Sequence, residues 1–369
     1  MIRFESASKT YPDGTVAVDA LDLVAPSGQI TVLVGPSGCG KTTSLRMINR
    51  MIDATGGRIL LDDQDVAKVE PAQLRRGIGY VIQHAGLFPH RTIIDNIASV
   101  PLMLGTSKKE ARAGAMELLD RVGLDQKFAR RYPAQLSGGQ QQRVGVARAL
   151  AADPPVMLMD EPFSAVDPVV REQLQDEFLR LQSDLGKTIV FVTHDIDEAI
   201  KLGDQVAVLR VGGHLAQMAT PAELLSNPVD DFVANFVGRD RGYRALGFEA
   251  VGQLPLEAEP TVSVESSFAE ASKVATDGWV LVLDGGRQPQ GWLAIADGPT
   301  PGSDSIDHGR LRRGGTVATI DGTYRSVLDA ALSSPTGRGV VVGQDGTFAG
   351  TINATQVVAL IESRAGAAS

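Results

Sequence analysis

The sequence predicts an α/β fold. A parallel, doubly wound core sheet follows an antiparallel β subdomain, takes an inserted helical subdomain, and precedes a smaller α+β module. Three observations lead there. The apolar run Ile30 to Val34 breaks into the glycine-rich turn Gly35-Pro36-Ser37-Gly38-Cys39-Gly40, and Lys41-Thr42-Thr43 opens a helix. Buried-type runs recur at 78–82, 156–159 and 188–192, and each is followed at once by polar, chemically capable side chains. Between Thr92 and about Ala152 the strand signal gives way to helical periodicity.

Taken in order, Ile2 to Phe4 and Val16 to Val24 alternate like strands around Lys9-Thr10-Tyr11-Pro12-Asp13-Gly14, a turn-forming separator. Gly56 to Leu61 and Ile78 to Ile82 read as strands, the second ending at Gln83. Lys108 to Val122 carries an apolar face of Ala111, Met116, Leu118, Leu119 and Val122. Leu136 to Arg143, LSGGQQQR, opens a further helix that runs to Leu150. Val156 to Met159 ends in Asp160-Glu161, Val169 to Leu185 is amphipathic, and Thr188 to Val192 ends in Thr193-His194-Asp195. Gln83, Asp160, Glu161 and His194 thus all fall just past strand carboxyl ends, where open parallel sheets build their sites.

Composition bounds the function. The net charge is −9 and the isoelectric point about 5.1, which argues against a nucleic-acid surface as the main business. Mean hydropathy is 0.00, no run reaches the roughly 18 apolar residues of a membrane span, and MIRFESASKT lacks a signal-peptide core. A membrane role would come through partner subunits. The single cysteine, Cys39, excludes intramolecular disulfides and zinc clusters and fits a reducing cytoplasm. It reads as a small filler in the loop, the other reading being a nucleophile with no His or Asp near it in sequence.

The loop at 35–43 matches G-x-x-x-x-G-K-[ST] in the strand–loop–helix context that gives the pattern its meaning. Backbone N–H groups of Gly35, Ser37, Gly38, Cys39, Gly40 and Thr43 would cradle phosphate oxygens at a helix N-terminus. Lys41 would reach the β/γ-phosphates, and the Thr42 hydroxyl would help hold Mg²⁺. Tyr11 either staples its hairpin or stacks on a purine base.

These stretches together resemble the nucleotide-binding subunit of ABC transporters over residues 1–238, with GPSGCGKT, LSGGQ, VMLMDE, SAVD and THD in the family's order. The resemblance implies ATP and Mg²⁺ as ligands and assigns roles. Asp160 and Gln83 would join Thr42 in the Mg²⁺ shell. Glu161 would polarise the attacking water as general base. His194 would contact the γ-phosphate, which Gln83 would report to the helical subdomain at about 84–155. Tyr11 would take the stacking role. Ser137, Gly138, Gly139 and Gln140 form a second anion cradle that in the family faces the ATP of the other subunit. A head-to-tail pair of copies sandwiching two ATPs is therefore expected, with Asp167 crossing the interface. Val166 stands where the family usually has Leu, a small volume change.

The apolar segment Gly86 to His90 with Ile93-Ile94 is either a small packed helix or, by the resemblance, part of the surface from Gln83 to Ile94 that receives a transmembrane permease subunit. His84 stands where a second Gln is expected.

Beyond Phe232 to Gly238, a closing helix, residues 239–250 read as a linker. A weak internal repeat follows. Thr261 to Val264 precedes a helix with Phe268, and Thr316 to Ile320 one with Tyr324. Val280 to Asp284 leads to Gln290-Gly291-Trp292, and Val340 to Val342 leads to Ala349-Gly350-Thr351. Each copy reads strand–helix–strand–turn–strand–helix, and Ser303 to Gly315 reads as a mobile polar loop. The segment 251–369 resembles tandem CBS modules, about 251–300 and 312–364, the other reading being a featureless αβ extension.

A cassette with such a tail resembles the ATPases of osmoprotectant importers for glycine betaine, carnitine, choline or proline betaine. This implies a peripheral subunit on the cytoplasmic face of the inner or plasma membrane, served indirectly by a substrate-binding protein. The CBS pair would sense ionic strength, an adenine nucleotide or cyclic di-AMP. The rivals are an importer for another solute such as an amino acid, or a non-transport cassette ATPase. No nucleic-acid partner is expected.

Overall fold

The computed structural model describes residues 1–83, 85–164, 166–299 and 304–367. His84, Ala165 and Ser303, named above, lie outside them. The chain divides into two compact units, Met1–Arg239 and Asp240–Ser369.

The first unit contains strands β1 (Ile2–Thr10), β2 (Val16–Ala25), β3 (Ile30–Val34), β4 (Gly56–Leu61), β5 (Gln64–Asp65), β6 (Ile78–Val81), β7 (Val156–Asp160), β8 (Thr188–Val192), β9 (Gln205–Arg210) and β10 (His214–Ala219). Its helices are α1 (Lys41–Ile48), α2 (Pro71–Arg76), α3 (Ile93–Ile97), α4 (Ser99–Met103), α5 (Lys108–Arg121), α6 (Gly138–Leu150), α7 (Pro168–Leu185), α8 (Ile196–Leu202), α9 (Pro221–Ser226) and α10 (Asp231–Val237).

The core sheet runs β10-β9-β3-β8-β7-β6. Four of its five neighbouring pairs are parallel, and β10 closes one edge antiparallel. Every residue of β3, β7 and β8 is buried, as a parallel sheet covered on both faces requires. A second, antiparallel sheet, β2-β1-β4-β5, shares one core with it. Phe4, Leu21 and Ile59 from one sheet and Leu33, Leu158 and Val190 from the other join Leu45 and Ile48 of α1. Each such fully buried aliphatic side chain contributes about 1.5–3 kcal/mol.

Between β6 and β7 the described residues form helices and turns alone. Side-chain caps start three of these helices, α3, α5 and α6: Thr92 accepts from the Asp95 N–H, and capping boxes join Ser107 to Glu110 and Ser137 to Gln140. No helix among the described residues is long and apolar enough to cross a membrane.

The second unit contains α11 (Arg241–Ala245), β11 (Thr261–Ser263), α12 (Phe268–Val274), β12 (Trp279–Leu283), β13 (Pro289–Ala294), β14 (Ala318–Thr319), α13 (Tyr324–Ser333), β15 (Arg338–Val342), β16 (Phe348–Asn353) and α14 (Ala354–Ala367). Two three-stranded sheets, β11-β12-β13 and β14-β15-β16, share one topology, a parallel pair followed by an antiparallel one. Gly291 sits opposite Val282 and Gly350 opposite Val341, each beside a register shift at the same place. Trp292, Leu281 and Leu283 pack with Val340 and Val342, so the two sheets share an apolar seam.

Three details differ from the sequence reading. Residues 240–250, within the stretch 239–250 read as a linker, carry ordered structure of their own. Arg244 pairs with Asp240 at 2.9 Å across α11, and the Val251 and Tyr324 N–H groups bond back to Gly322 and Glu249. The first repeat ends in a single 3₁₀ turn, Ile295–Asp297, where the second has α14, because Gly298 (φ 70°) and Pro299 cannot continue a helix. The stretch 304–315 is pinned: Ile306 is buried, and Arg312 exchanges two 2.8 Å backbone hydrogen bonds with Trp292.

Candidate active site

The phosphate-type loop is clamped between two strands. Gly40 caps α1 at φ 89°, and a Cβ there would lie 2.2 Å from the Ala17 carbonyl oxygen of β2. A Cβ on Gly35 would lie 2.4 Å from the Leu209 carbonyl oxygen of β9. Only glycine permits this approach. Lys41 is almost fully buried, and its ammonium donates to the Gly35 and Pro36 carbonyls at 2.8 and 3.0 Å, so the charge is held over the loop. Cys39 is wholly buried, which suits the filler reading.

Neighbouring strand ends bring the acids to this loop. Asp160 pairs in register with Val192 of β8, so the residues that follow β7 and β8 emerge side by side. Asp160 is buried and accepts from the Thr42 hydroxyl at 2.9 Å. Its other oxygen faces the Tyr80 hydroxyl at 3.5 Å and the Arg46 guanidinium at 3.6 Å. Burial and the Asp160 charge push the Tyr80 phenol above its ordinary pKa, keeping it a neutral donor.

Glu161 adopts φ 47°, held by its N–H bond to the Val192 carbonyl and by Ser164, whose N–H and hydroxyl both donate to the Glu161 carbonyl. A non-glycine residue in this region is strained, and here the strain aims a carboxylate. One Glu161 oxygen lies 3.1 Å from His194 Nδ1.

Loop residues 35–43 with Ala17, Glu161, His194 and Phe236 line one cleft of about 590 Å³. Thr42 and Asp160 offer a hydroxyl and a carboxylate, the hard oxygen donors Mg²⁺ takes alongside phosphate and water. The described residues contain no cluster of three or more His, Cys, Asp or Glu able to hold a metal by itself, so such an ion would depend on the phosphates.

Other candidates stand apart from this cleft. Tyr11 lies beside it, its hydroxyl 3.4 Å from Thr43 Oγ1 and the Lys9 ammonium 5.5 Å from its ring centre. Gln83 is exposed just past β6. Ser137 and Gly138 are exposed at the start of α6, Gly139 is buried beneath them, and Gln140 closes the capping box; none of the four lines the cleft. Asp167 precedes α7, its carbonyl accepting from the Arg171 N–H at 2.8 Å.

The segment after Gln83 is tied to the helical subdomain by groups the sequence reading missed. Arg148 of α6 donates to the Gly86 and Ala85 carbonyls at 2.7 and 2.8 Å, and burial lowers its pKa. The Asn96 side chain accepts from the Phe88 N–H and donates to the Phe88, Arg91 and Thr92 carbonyls. Phe88 stays 42% exposed with Arg91 over its ring, so the apolar segment is not closed into the core.

A buried cation, a nucleotide-sized cleft and a carboxylate–imidazole pair beside a hydroxyl–carboxylate pair suit attack by water on a phosphoanhydride. Comparison with known proteins points the same way. The ABC transporter family profile matches residues 18–164. The glycine betaine/carnitine/choline transport ATP-binding protein OpuCA of Bacillus subtilis (strain 168) is 43% identical over 330 residues, 88% of this chain and 83% of that protein. The osmoprotectant import ATP-binding protein OsmV of Salmonella typhimurium is 42% identical over 373 residues, 98% of this chain and 97% of that protein. Among solved structures, a dimeric post-hydrolysis state of the ATP-binding cassette MJ0796 bound to ADP and Pi superposes with a TM-score of 0.54. It is 34% identical and covers 60% of this chain and 99% of that one.

Proposed function

Since the chain belongs to the ABC transporter family of ATP-binding proteins, we propose that it is the ATP-hydrolysing subunit of an importer for quaternary-amine osmoprotectants, working through separate transmembrane subunits. The observation that carries the reading is the single cleft in which the phosphate loop, Glu161 and His194 meet. The solute class rests on the two transport relatives, which match most of both chains.

Each residue has a definable task. The loop N–H groups and Lys41 bind and neutralise the phosphate chain. Thr42 and Asp160 hold Mg²⁺, which when bound supplies charge neutralisation between the phosphates. Glu161 accepts the proton of the attacking water, and His194, 3.1 Å away, fixes that carboxylate and meets the terminal phosphate. Gln83 joins the ion's shell and reports it to the helical subdomain through the segment Arg148 holds.

The exposed Ser137–Gln140 cradle serves the nucleotide of a second copy, so the working unit is a head-to-tail dimer with Asp167 at its interface. The surface from Gln83 to Ile94 receives the permease, which keeps the subunit on the cytoplasmic face of the membrane, and a substrate-binding protein acts upstream. The tail is a CBS pair whose ligand is an adenine nucleotide such as cyclic di-AMP, or which answers to ionic strength.

The test is uptake in the cells that make this chain. With its gene replaced by the Glu161→Gln form, salt-stimulated uptake of labelled glycine betaine, choline or carnitine should disappear. Intact uptake of all three, with loss of amino-acid uptake instead, assigns the chain to the other importer class.

A further inference from the structure

The metal side of the cleft rests on few protein groups. Thr42 and Asp160 are the oxygen donors on offer, and no larger acidic cluster stands among the described residues. The direction of one carboxylate therefore weighs heavily on how well an ion can be held. The Thr42 hydroxyl donates its proton to Asp160 Oδ1 at 2.9 Å, which leaves its lone pairs free for a cation. That bond accounts for one carboxylate oxygen. The other, Oδ2, faces two groups to which the nucleotide chemistry gives no task.

Those groups come from separate elements. Thr42 and Arg46 stand four residues apart on α1, so hydroxyl and guanidinium lie one turn apart on one face. Arg46 Nη2 lies 3.6 Å from Asp160 Oδ2, and Asp160 is the acid it pairs with among the described residues. Tyr80 of β6 pairs in register with Leu158, two residues before Asp160 on β7, so Tyr80 and Asp160 project from the same face of the sheet. The Tyr80 ring packs against the core cluster that holds Leu45 and Ile48 of α1, and its hydroxyl lies 3.5 Å from Oδ2. The Asp160 side chain is only 10% exposed. A carboxylate so buried has little water to turn to, so these three donors set its orientation.

Resting on the reading of Thr42 and Asp160 as Mg²⁺ ligands, we propose that Arg46 and Tyr80 are positioning residues for the ion. They grip Asp160 Oδ2 and thereby keep Oδ1 turned to Thr42 and the metal. Neither residue lines the cleft, so the effect passes through Asp160 alone. Partners that hold a metal-binding carboxylate from behind are worth roughly 10–100-fold in metal affinity. Contacts of 3.5 and 3.6 Å are long, which places the pair together near the lower figure. Arg46 is also a cation, and its bare charge opposes Mg²⁺. Orientation and charge thus act with opposite signs, and the uncharged Tyr80 separates them.

The experiment is titration calorimetry of the full-length chain with the non-hydrolysable β,γ-imido analogue of ATP, once in EDTA and once in excess Mg²⁺. Wild type, Tyr80→Phe, Arg46→Met and the double variant are compared. The ratio of the two affinities is the contribution of the metal. It should fall about tenfold in the double variant and in part in each single one. The EDTA affinity, which needs only an intact loop, should stay at the wild-type value. Arg46→Lys, a point charge without the guanidinium fork, should recover part of the loss seen in Arg46→Met. Tyr80→Phe, which loses a single oxygen, keeps the test available if the double variant folds poorly. An unchanged ratio in the double variant overturns the proposal. So does a ratio that rises in Arg46→Met and holds in Tyr80→Phe, which leaves charge repulsion alone. Equal losses in EDTA and in Mg²⁺ would mean that the two residues merely support the loop, and overturn it as well. A wild type whose affinity ignores Mg²⁺ would instead refute the reading of Thr42 and Asp160 as its ligands.

Discussion

Arg148→Ala isolates the link between the segment after Gln83 and the helix that starts at Ser137. The substitution removes two short, charge-assisted hydrogen bonds, to the Gly86 and Ala85 carbonyls. Bonds to charged groups are each worth about 1.5–3 kcal/mol, so the gross loss is roughly 3–6 kcal/mol. The same burial that lowers the Arg148 pKa shows that the guanidinium sits there at a desolvation cost, which the alanine variant recovers. The net is about 2–3 kcal/mol, and in a unit of this size that lowers the melting temperature by roughly 4–12 °C.

The effect on chemistry should be selective. Neither the loop nor Lys41 touches Arg148, so ATP affinity should hold while turnover falls at least about tenfold, the equivalent of 1.4 kcal/mol. Arg148→Lys supplies a point charge that cannot span both carbonyls and should restore only part of each loss. Calorimetric melting, ATP titration and steady-state phosphate release on one preparation make the comparison. An unchanged melting point and turnover would refute the reasoning. An affinity loss as large as the turnover loss would place the effect in the phosphate loop instead.

Other substitutions separate binding from chemistry. Glu161→Gln should bind ATP and trap a dimer by size-exclusion chromatography while turnover falls by orders of magnitude; persistent turnover would exclude Glu161 as the base. Lys41→Ala should abolish nucleotide binding itself, read by the same titration. Glu198 is buried, with the Gln175 amide donating to it at 3.1 Å, and burial raises its pKa above the ordinary glutamate value of 4.5. The folded state therefore holds this proton more tightly than the unfolded chain, and stability falls as pH rises from the unfolded pKa through the folded one. Glu198→Gln should thus melt higher than wild type near neutral pH. The advantage should shrink to nothing as the pH falls well below about 4, where both states of the wild type are protonated. A constant difference across that range would show that the charge is not the cause.

Much of this arrangement is legible in the chain. Strand–loop–helix at 30–43 and the two acids at the carboxyl end of β7 are local patterns, and the Ser107–Glu110 and Ser137–Gln140 boxes are set by three-residue spacing. The parallel order that joins Glu161 to His194 follows from alternating strands and helices. What the chain concealed depends on register between distant elements. Arg46 and Tyr80 converge on Asp160 only because α1, β6 and β7 pack together, and neither has a local signature. Arg148 reads as one more residue of an apolar helix until the facing carbonyls are seen. Residues 239–250 have a linker's glycine and arginine content, yet an Asp240–Arg244 pair and the Tyr324 N–H bond to the Glu249 carbonyl give residues 240–249 fixed partners. Composition measures what a segment contains, whereas order depends on what it meets.

Cys39, the sole thiol of 369 residues, gives the phosphate loop its own reporter. It lies fully buried in the loop, its sulfur only 2.8 Å from where a Cβ on Gly35 would stand. A thiol-reactive dye can reach it only when the loop springs open, so the labelling rate measures the frequency of that opening against a free-cysteine standard. A cysteine introduced elsewhere on the surface would react first, without removal of the native one. The chain is in effect already prepared for single-site fluorescence work, with an internal clock for loop breathing included.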